Sequence, residues 1–231
     1  MMNILREVEV LIGVTFVNKD LLTNVFIHRS YLNENNNKGL FSNERLEFLG
    51  DAVLELVVTE YLYKKYPLKT EGELTAIRSA LVRRDHLAQA AKTLFLGKYL
   101  LLSKGELLSG GASKDYILAN TVEALIGALY LDQGILNATM FINKYLLHDE
   151  EDIVANKLYI DSKSKFQETA QEILGVTPHY DLVSDLGPDH DKKFIMGVYL
   201  AEEKIAEGEG TSKRKAEEDA AFQALRVKNW L

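Results

Sequence analysis

One segment sets the terms for the whole chain: Asn43-Glu44-Arg45-Leu46-Glu47-Phe48-Leu49-Gly50-Asp51, continuing through Ala52, Val53, Leu54, Leu56, Val57 and Val58. At helical period, Glu44, Glu47 and Asp51 stack on one face at spacings of three and four. The remainder is apolar nearly all round, the pattern of a helix buried in a core or an interface. Stacked like charges repel, and acidic groups on a mostly buried helix need partners. A divalent cation would remove the repulsion. The other reading of Glu44, Glu47, Asp51 and Glu55 is one solvated face of an amphipathic helix, and spacing alone leaves both open.

A second helix repeats the theme. Asn120 and Glu123 stand three apart, flanked by Ile117, Leu118, Leu125 and Ile126. Two such helices facing each other would form an all-oxygen site suited to Mg²⁺ or Mn²⁺. A di-iron carboxylate bundle normally uses Glu-x-x-His pairs, and none of the 5 histidines follows a Glu at that spacing. P-loop, GxSxG and HExxH patterns are absent. His28 and His86 read as structural residues.

The chain of 231 residues has room for two ordinary domains. Residues 1–147 read as helix after helix: one capped by Asn18, a long one from Ser42 to Tyr66 ended by Pro67, then Glu73–Arg83 and Asp85–Thr93. Asn33–Gly39 reads as a polar loop and Ser109-Gly110-Gly111 as a breaker. Ser113 is expected to cap a helix to Leu131, and Gly134 to separate it from a last helix ending at Leu147. Residues 148–160, polar and charged, read as a linker. In residues 161–229 the pattern changes to helix (Ser162–Leu174, stopped by Gly175), strands (His179–Ser184, Phe194–Leu200, Lys204–Glu209) and helix (Ser212–Val227). The fold class is mainly α: an all-helical domain, then a small α-β-β-β-α domain.

With 27 basic and 34 acidic residues the net charge is -7, so any nucleic-acid contact must come from a local basic cluster. The absence of cysteine excludes disulfides and thiolate metal sites. No run of about eighteen apolar residues suggests a membrane span. A soluble cytoplasmic protein without a small-molecule cofactor is expected.

Asn43-Glu-Arg-Leu-Glu-Phe-Leu-Gly-Asp-Ala-Val-Leu54 resembles the signature of ribonuclease III. Three further segments match at the family's separations: Phe26–Tyr31, Gly72–Arg78, and Gly110-Gly111 followed by Ile117–Leu125. Residues 160–227 are similar to a double-stranded-RNA-binding domain. The resemblance implies a homodimeric, Mg²⁺-dependent endonuclease cutting double-stranded RNA, with Mn²⁺ able to substitute. It implies metal ligands at Glu47, Asp51, Asn120 and Glu123. Asp51 and Glu123 would be the principal catalytic carboxylates, Glu44 an assistant and Phe48 a subunit contact. Products would carry 5′-phosphates and 3′-hydroxyls with short 3′ overhangs, and ribosomal and messenger RNA precursors would be the substrates. One position departs: the family usually has Asp where Asn120 stands, and Asn offers a carbonyl oxygen without the charge. That leaves a duplex-RNA-binding protein with weak or no cleavage as the alternative.

Duplex RNA is read mainly by shape, through 2′-hydroxyls and phosphates over roughly 16 base pairs. Lys165, Gln167 and Glu168 on the first helix, His190 in the Gly187-Pro188-Asp189-His190 turn, and Lys213, Arg214 and Lys215 at the start of the last helix fit those needs. Read alone, Lys213–Lys215 is equally a solvated basic turn offsetting Glu217, Glu218 and Asp219. Phe166, Phe194, Val198, Ala220, Ala221 and Leu225 are expected in the core.

Overall fold

The structure is a computed structural model describing residues 2–35, 39–187 and 192–230. It divides into two compact units, 1–159 and 160–231.

The first unit is helical: α1 (Met2–Ile12), α2 (Lys19–Val25), α3 (Arg29–Glu34), α4 (Glu44–Lys65), α5 (Glu71–Val82), α6 (Arg84–Thr93), α7 (Lys104–Leu108), α8 (Asp115–Tyr145) and α9 (Glu150–Ala155). Local chemistry sets many of the ends. Asn18 accepts from the Asp20 amide at the start of α2 (3.0 Å). Thr70 and Glu73 cap α5 reciprocally. α4 stops just before Pro67, whose ring disfavours helix in the preceding residue.

α4 and α8 share the largest interface between elements in this unit. Their buried side chains, among them Leu46, Leu54, Val58, Val122, Leu125 and Leu129, form the centre of one apolar core. The crossing is close because both helices present glycine there. A Cβ on Gly50 would stand 1.7 Å from the Glu123 carbonyl oxygen, and one on Gly127 would stand 2.3 Å from that of Leu46.

Several expectations change. α3 occupies Asn33 and Glu34, expected in a loop, because His28 caps it from its N-terminal side. α8 begins after Lys114, whereas Ser113, expected as its cap, lies in the preceding 3-10 turn. Gly134, by contrast, is non-helical as expected (φ 79°, ψ -178°) and separates two helical stretches within α8. The stretch 148–160 contains α9, with Ile153 and Glu150 buried. Glu150 is held by Lys65, Tyr61 and Tyr66 of the first unit, so this part of the expected linker is docked. By length and hydropathy α8 would suffice to cross a membrane. Many of its apolar side chains, Leu118, Val122, Leu125, Ile126 and Leu129 among them, are instead buried in the core of this unit.

In the second unit, α10 (Ser162–Leu174) precedes β1 (His179–Leu186), β2 (Lys193–Leu200), β3 (Glu203–Gly210) and α11 (Lys213–Val227). The strands form an antiparallel sheet in the order β1-β2-β3. Gly175 adopts the left-handed conformation that ends α10 (φ 69°). Phe166, Val198, Ala220, Ala221 and Leu225 are buried together. Phe194 is only half-buried, with Lys192 over its ring.

Candidate active site and RNA-binding surface

The Gly50–Gly127 crossing brings the carboxylates of α4 within electrostatic reach of those on α8. Glu47 and Glu123 are half-buried, while Asp51 and Glu44 are exposed. Burial, the negative charge of Asp51 and that of Glu47 push the Glu123 carboxyl up to about 7, against a smaller opposing effect of Arg84. Burial raises Glu47 as well; the polar side chain of Asn120 partly offsets this, while Glu44 and Asp51 add to it.

The charge stripe of α4 is not uniform. Glu55 is paired with Arg78 (2.8 Å). Glu44 accepts from Ser42 (2.7 Å) and lies 3.6 Å from Arg29. Among the described residues, no Lys or Arg forms an ion pair with Glu47, Asp51 or Glu123. Three carboxylates within electrostatic reach of one another thus have no ion-paired Lys or Arg among the described residues, Arg84 acting on Glu123 only from beyond ion-pair distance. Among the described residues, no three acidic or histidine side chains stand close enough together to form a metal cage. In type and charge the donors suit a hard divalent cation.

Beside Glu44, Glu47 and Asn120 opens a cavity of about 590 Å³, lined also by His28, Arg29 and Tyr116. His28 was expected to be structural, and one ring nitrogen is: Nδ1 accepts from the Ser30 amide (3.3 Å) and caps α3. His86 hydrogen-bonds to the Leu146 carbonyl (2.8 Å), an architectural role. Sequence reasoning missed Arg84, the cation nearest in effect to Glu123, because it stands 39 positions away and only packing brings it close.

Phe48 points outward, 81% exposed, with Phe41 and Leu131 also exposed around an apolar hollow. In the second unit, Lys165, Gln167 and Glu168 are exposed on α10, opposite Phe166 and Ala170. Lys213, Arg214 and Lys215 are exposed in the first turn of α11, where Ser212 caps the helix. Arg214 pairs with Glu218 (3.0 Å), whereas Lys213 and Lys215 have no ion-pair partner among the described residues. β3 seats this helix closely through glycine: a Cβ on Gly208 would meet the Ala220 amide at 2.0 Å. His190 lies outside the described residues.

The model of the Ribonuclease-III-like family matches residues 18–150, and that of the double-stranded RNA binding motif matches residues 162–228. The chain belongs to the ribonuclease III family. Similar curated relatives are Ribonuclease 3 of Enterococcus faecalis, 45% identical over 214 residues (93% of each chain), and Ribonuclease 3 of Syntrophomonas wolfei, 46% identical over 213 residues (91% of this chain, 89% of the relative). The crystal structure of the ribonuclease III nuclease domain of Campylobacter jejuni matches with a TM-score of 0.56 at 39% identity, over 62% of this chain and 92% of that one. This ribonuclease III is an endoribonuclease acting on double-stranded RNA. Binding without cleavage, the alternative raised by Asn120, finds no support. Ribonuclease III enzymes are metal-dependent nucleases, which agrees with a carboxylate group that no Lys or Arg among the described residues ion-pairs.

Proposed function

We propose that Glu47, Asp51, Glu123 and Asn120 hold Mg²⁺, with Mn²⁺ able to substitute, and that this group is the cleavage centre. The reading is carried by one observation: the charges of Asp51 and Glu47 raise the proton affinity of Glu123, those of Glu44 and Asp51 raise that of Glu47, and among the described residues no Lys or Arg forms an ion pair with Glu47, Asp51 or Glu123. A bound divalent ion lowers the pKa of water, orients the phosphate and stabilises the leaving oxygen. Asp51 and Glu123 orient the attacking water. Asn120 favours the ionised form of Glu47, and its carbonyl oxygen would serve the ion. Glu44, tethered by Ser42, serves on the substrate side.

Lys165, Gln167, Glu168, Lys213, Arg214, Lys215 and His190 contact the duplex. Two chains pair through the apolar surface around Phe48, giving one centre per strand. A related nuclease domain from Campylobacter jejuni is described as having a region involved in dimer formation. Cleavage leaves 5′-phosphates and 3′-hydroxyls with short 3′ overhangs, and serves ribosomal and messenger RNA processing in the cytoplasm.

The test is a long RNA duplex incubated with Mg²⁺. The wild-type chain is expected to cut it to short 5′-phosphorylated fragments. Glu123→Gln should bind it but cut about a thousandfold more slowly or worse, since metal stabilisation of the transition state amounts to several kcal/mol. Cleavage by Glu123→Gln at the wild-type rate would overturn the assignment.

A further inference from the structure

The cavity beside the carboxylates has a second wall that the metal chemistry does not use. His28 is fixed there by its backbone: its amide donates to the Leu101 carbonyl (3.1 Å), and the preceding carbonyl, of Ile27, accepts from the Asn43 amide (2.8 Å) at the start of α4. The ring is fixed too. The Ser103 amide donates to Ser30 Oγ (3.1 Å), which leaves the hydroxyl proton free to be donated to His28 Nδ1 (2.8 Å). With Nδ1 an acceptor twice over, the neutral imidazole carries its proton on Nε2. Among the described residues that nitrogen has no hydrogen-bond partner. Nearby acidic groups are otherwise engaged: Glu106 by Lys114 (2.6 Å), and Glu44 by Ser42 and Arg29.

We infer that His28 is a substrate-contacting residue of the cleavage centre, its Nε2–H donating to a ribose-phosphate oxygen of the strand being cut. The cavity, about 590 Å³, lies within the roughly 300–1,000 Å³ range of sites that enclose small-molecule-sized groups. Its walls set oxygen donors for a cation, Glu47 and Asn120, beside hydrogen-bond donors for an anion, His28 and Arg29. A phosphodiester bound to metal needs both. The cap on α3 and the contact with RNA use different nitrogens of one ring, so the structural role does not compete with the functional one. The inference rests on the cleavage centre proposed above.

The test uses the full chain carrying His28→Asn. Asparagine is a strong N-cap, so α3 keeps its cap while the distal donor is lost. Single-turnover cleavage of a duplex with Mg²⁺ should fall about 10- to 100-fold, as expected for losing a hydrogen bond to a charged group. Metal-free duplex binding should stay within about twofold, because the second unit carries it. Cleavage within about twofold of wild type overturns the inference, as does a loss of thermal stability that accounts for the lost rate. Independently of the variant's folding, the ¹⁵N resonance of His28 Nε2 in the wild-type chain should shift when duplex is added together with Ca²⁺, a divalent ion taken by oxygen ligands; a resonance unmoved by duplex in the presence of the ion overturns it too. A wild-type chain that fails to cut would instead count against the cleavage centre itself.

Discussion

Glu123 is held near 7 by burial and by the charges of Asp51 and Glu47, and this makes stability depend on pH in a definite direction. A carboxyl raised above its unfolded value of 4.5 binds its proton more tightly in the folded state. The resulting stabilisation is complete below 4.5 and is lost as pH rises through about 7. The metal-free chain should therefore melt at lower temperature at pH 8 than at pH 5. Adding divalent metal should raise the melting temperature more at pH 8. Glu123→Gln should flatten the metal-free profile and melt higher than wild type at pH 8; an unchanged slope would exclude Glu123 as its source. Asn120→Asp works in the opposite sense. A fourth carboxylate beside Glu47 should lower metal-free stability at pH 8 while reducing the metal concentration needed for half-maximal cleavage. Equal metal dependence of the two proteins would contradict the role given to position 120.

The crossing of α4 and α8 decides whether these residues meet at all. With a Cβ at Gly50 1.7 Å from the Glu123 carbonyl oxygen, and one at Gly127 2.3 Å from that of Leu46, either Gly→Ala change must push two core helices apart. Overpacking of this kind costs about 1–3 kcal/mol, and backbone atoms on both sides put these sites at the upper end. Urea unfolding should show the loss, with cleavage falling alongside. Gly72, early in α5, is the control: a Cβ there would have nothing within 4 Å, so Gly72→Ala should be neutral or stabilising. α9 depends on a different device. Glu150 is 1% exposed and accepts from Lys65, Tyr61 and Tyr66. Burial and the same contact push the Tyr66 hydroxyl up to about 12. Glu150→Gln leaves Lys65 with the exposed Glu151 (2.9 Å) as its ion-pair partner and should cost roughly 1–2 kcal/mol, less than breaking a fully buried pair because Lys65 keeps that partner and some solvent access. Hydrogen exchange over residues 150–155 reads the outcome; unchanged protection there would show that α9 docks by its apolar face alone.

For the molecule as a whole, a net charge of -7 and the binding of a polyanion are reconciled if, as proposed, contact is made through a local basic turn. Lys213 and Lys215, in the first turn of α11, have no ion-pair partner among the described residues. Neutralising phosphates releases counterions, so duplex affinity should fall steeply with salt. Replacing Lys213, Arg214 and Lys215 together by Ala should weaken binding to all duplex sequences alike and make the slope of log affinity against log salt shallower by about two to three. A slope unchanged by the triple substitution would remove this turn from the interface.

Helical period, capping residues and the switch to alternating patterns made the order of elements legible, including the carboxylates of α4 and α8 and the α-β-β-β-α unit, because these signals are local in the chain. The Glu44–Asp51 signature likewise pointed to the family before any contact was known. What the chain alone left open was which charges are answered. Glu55 finds Arg78 and Glu44 finds Ser42, while Glu47, Asp51 and Glu123 find no ion-paired Lys or Arg among the described residues. The polar stretch around Glu150 docks because Lys65 and two tyrosines surround one carboxylate. His28 likewise has one nitrogen tied and one left over. Each outcome depends on partners brought together from separate elements, and only packing of the helices puts those partners within hydrogen-bonding or Coulombic range.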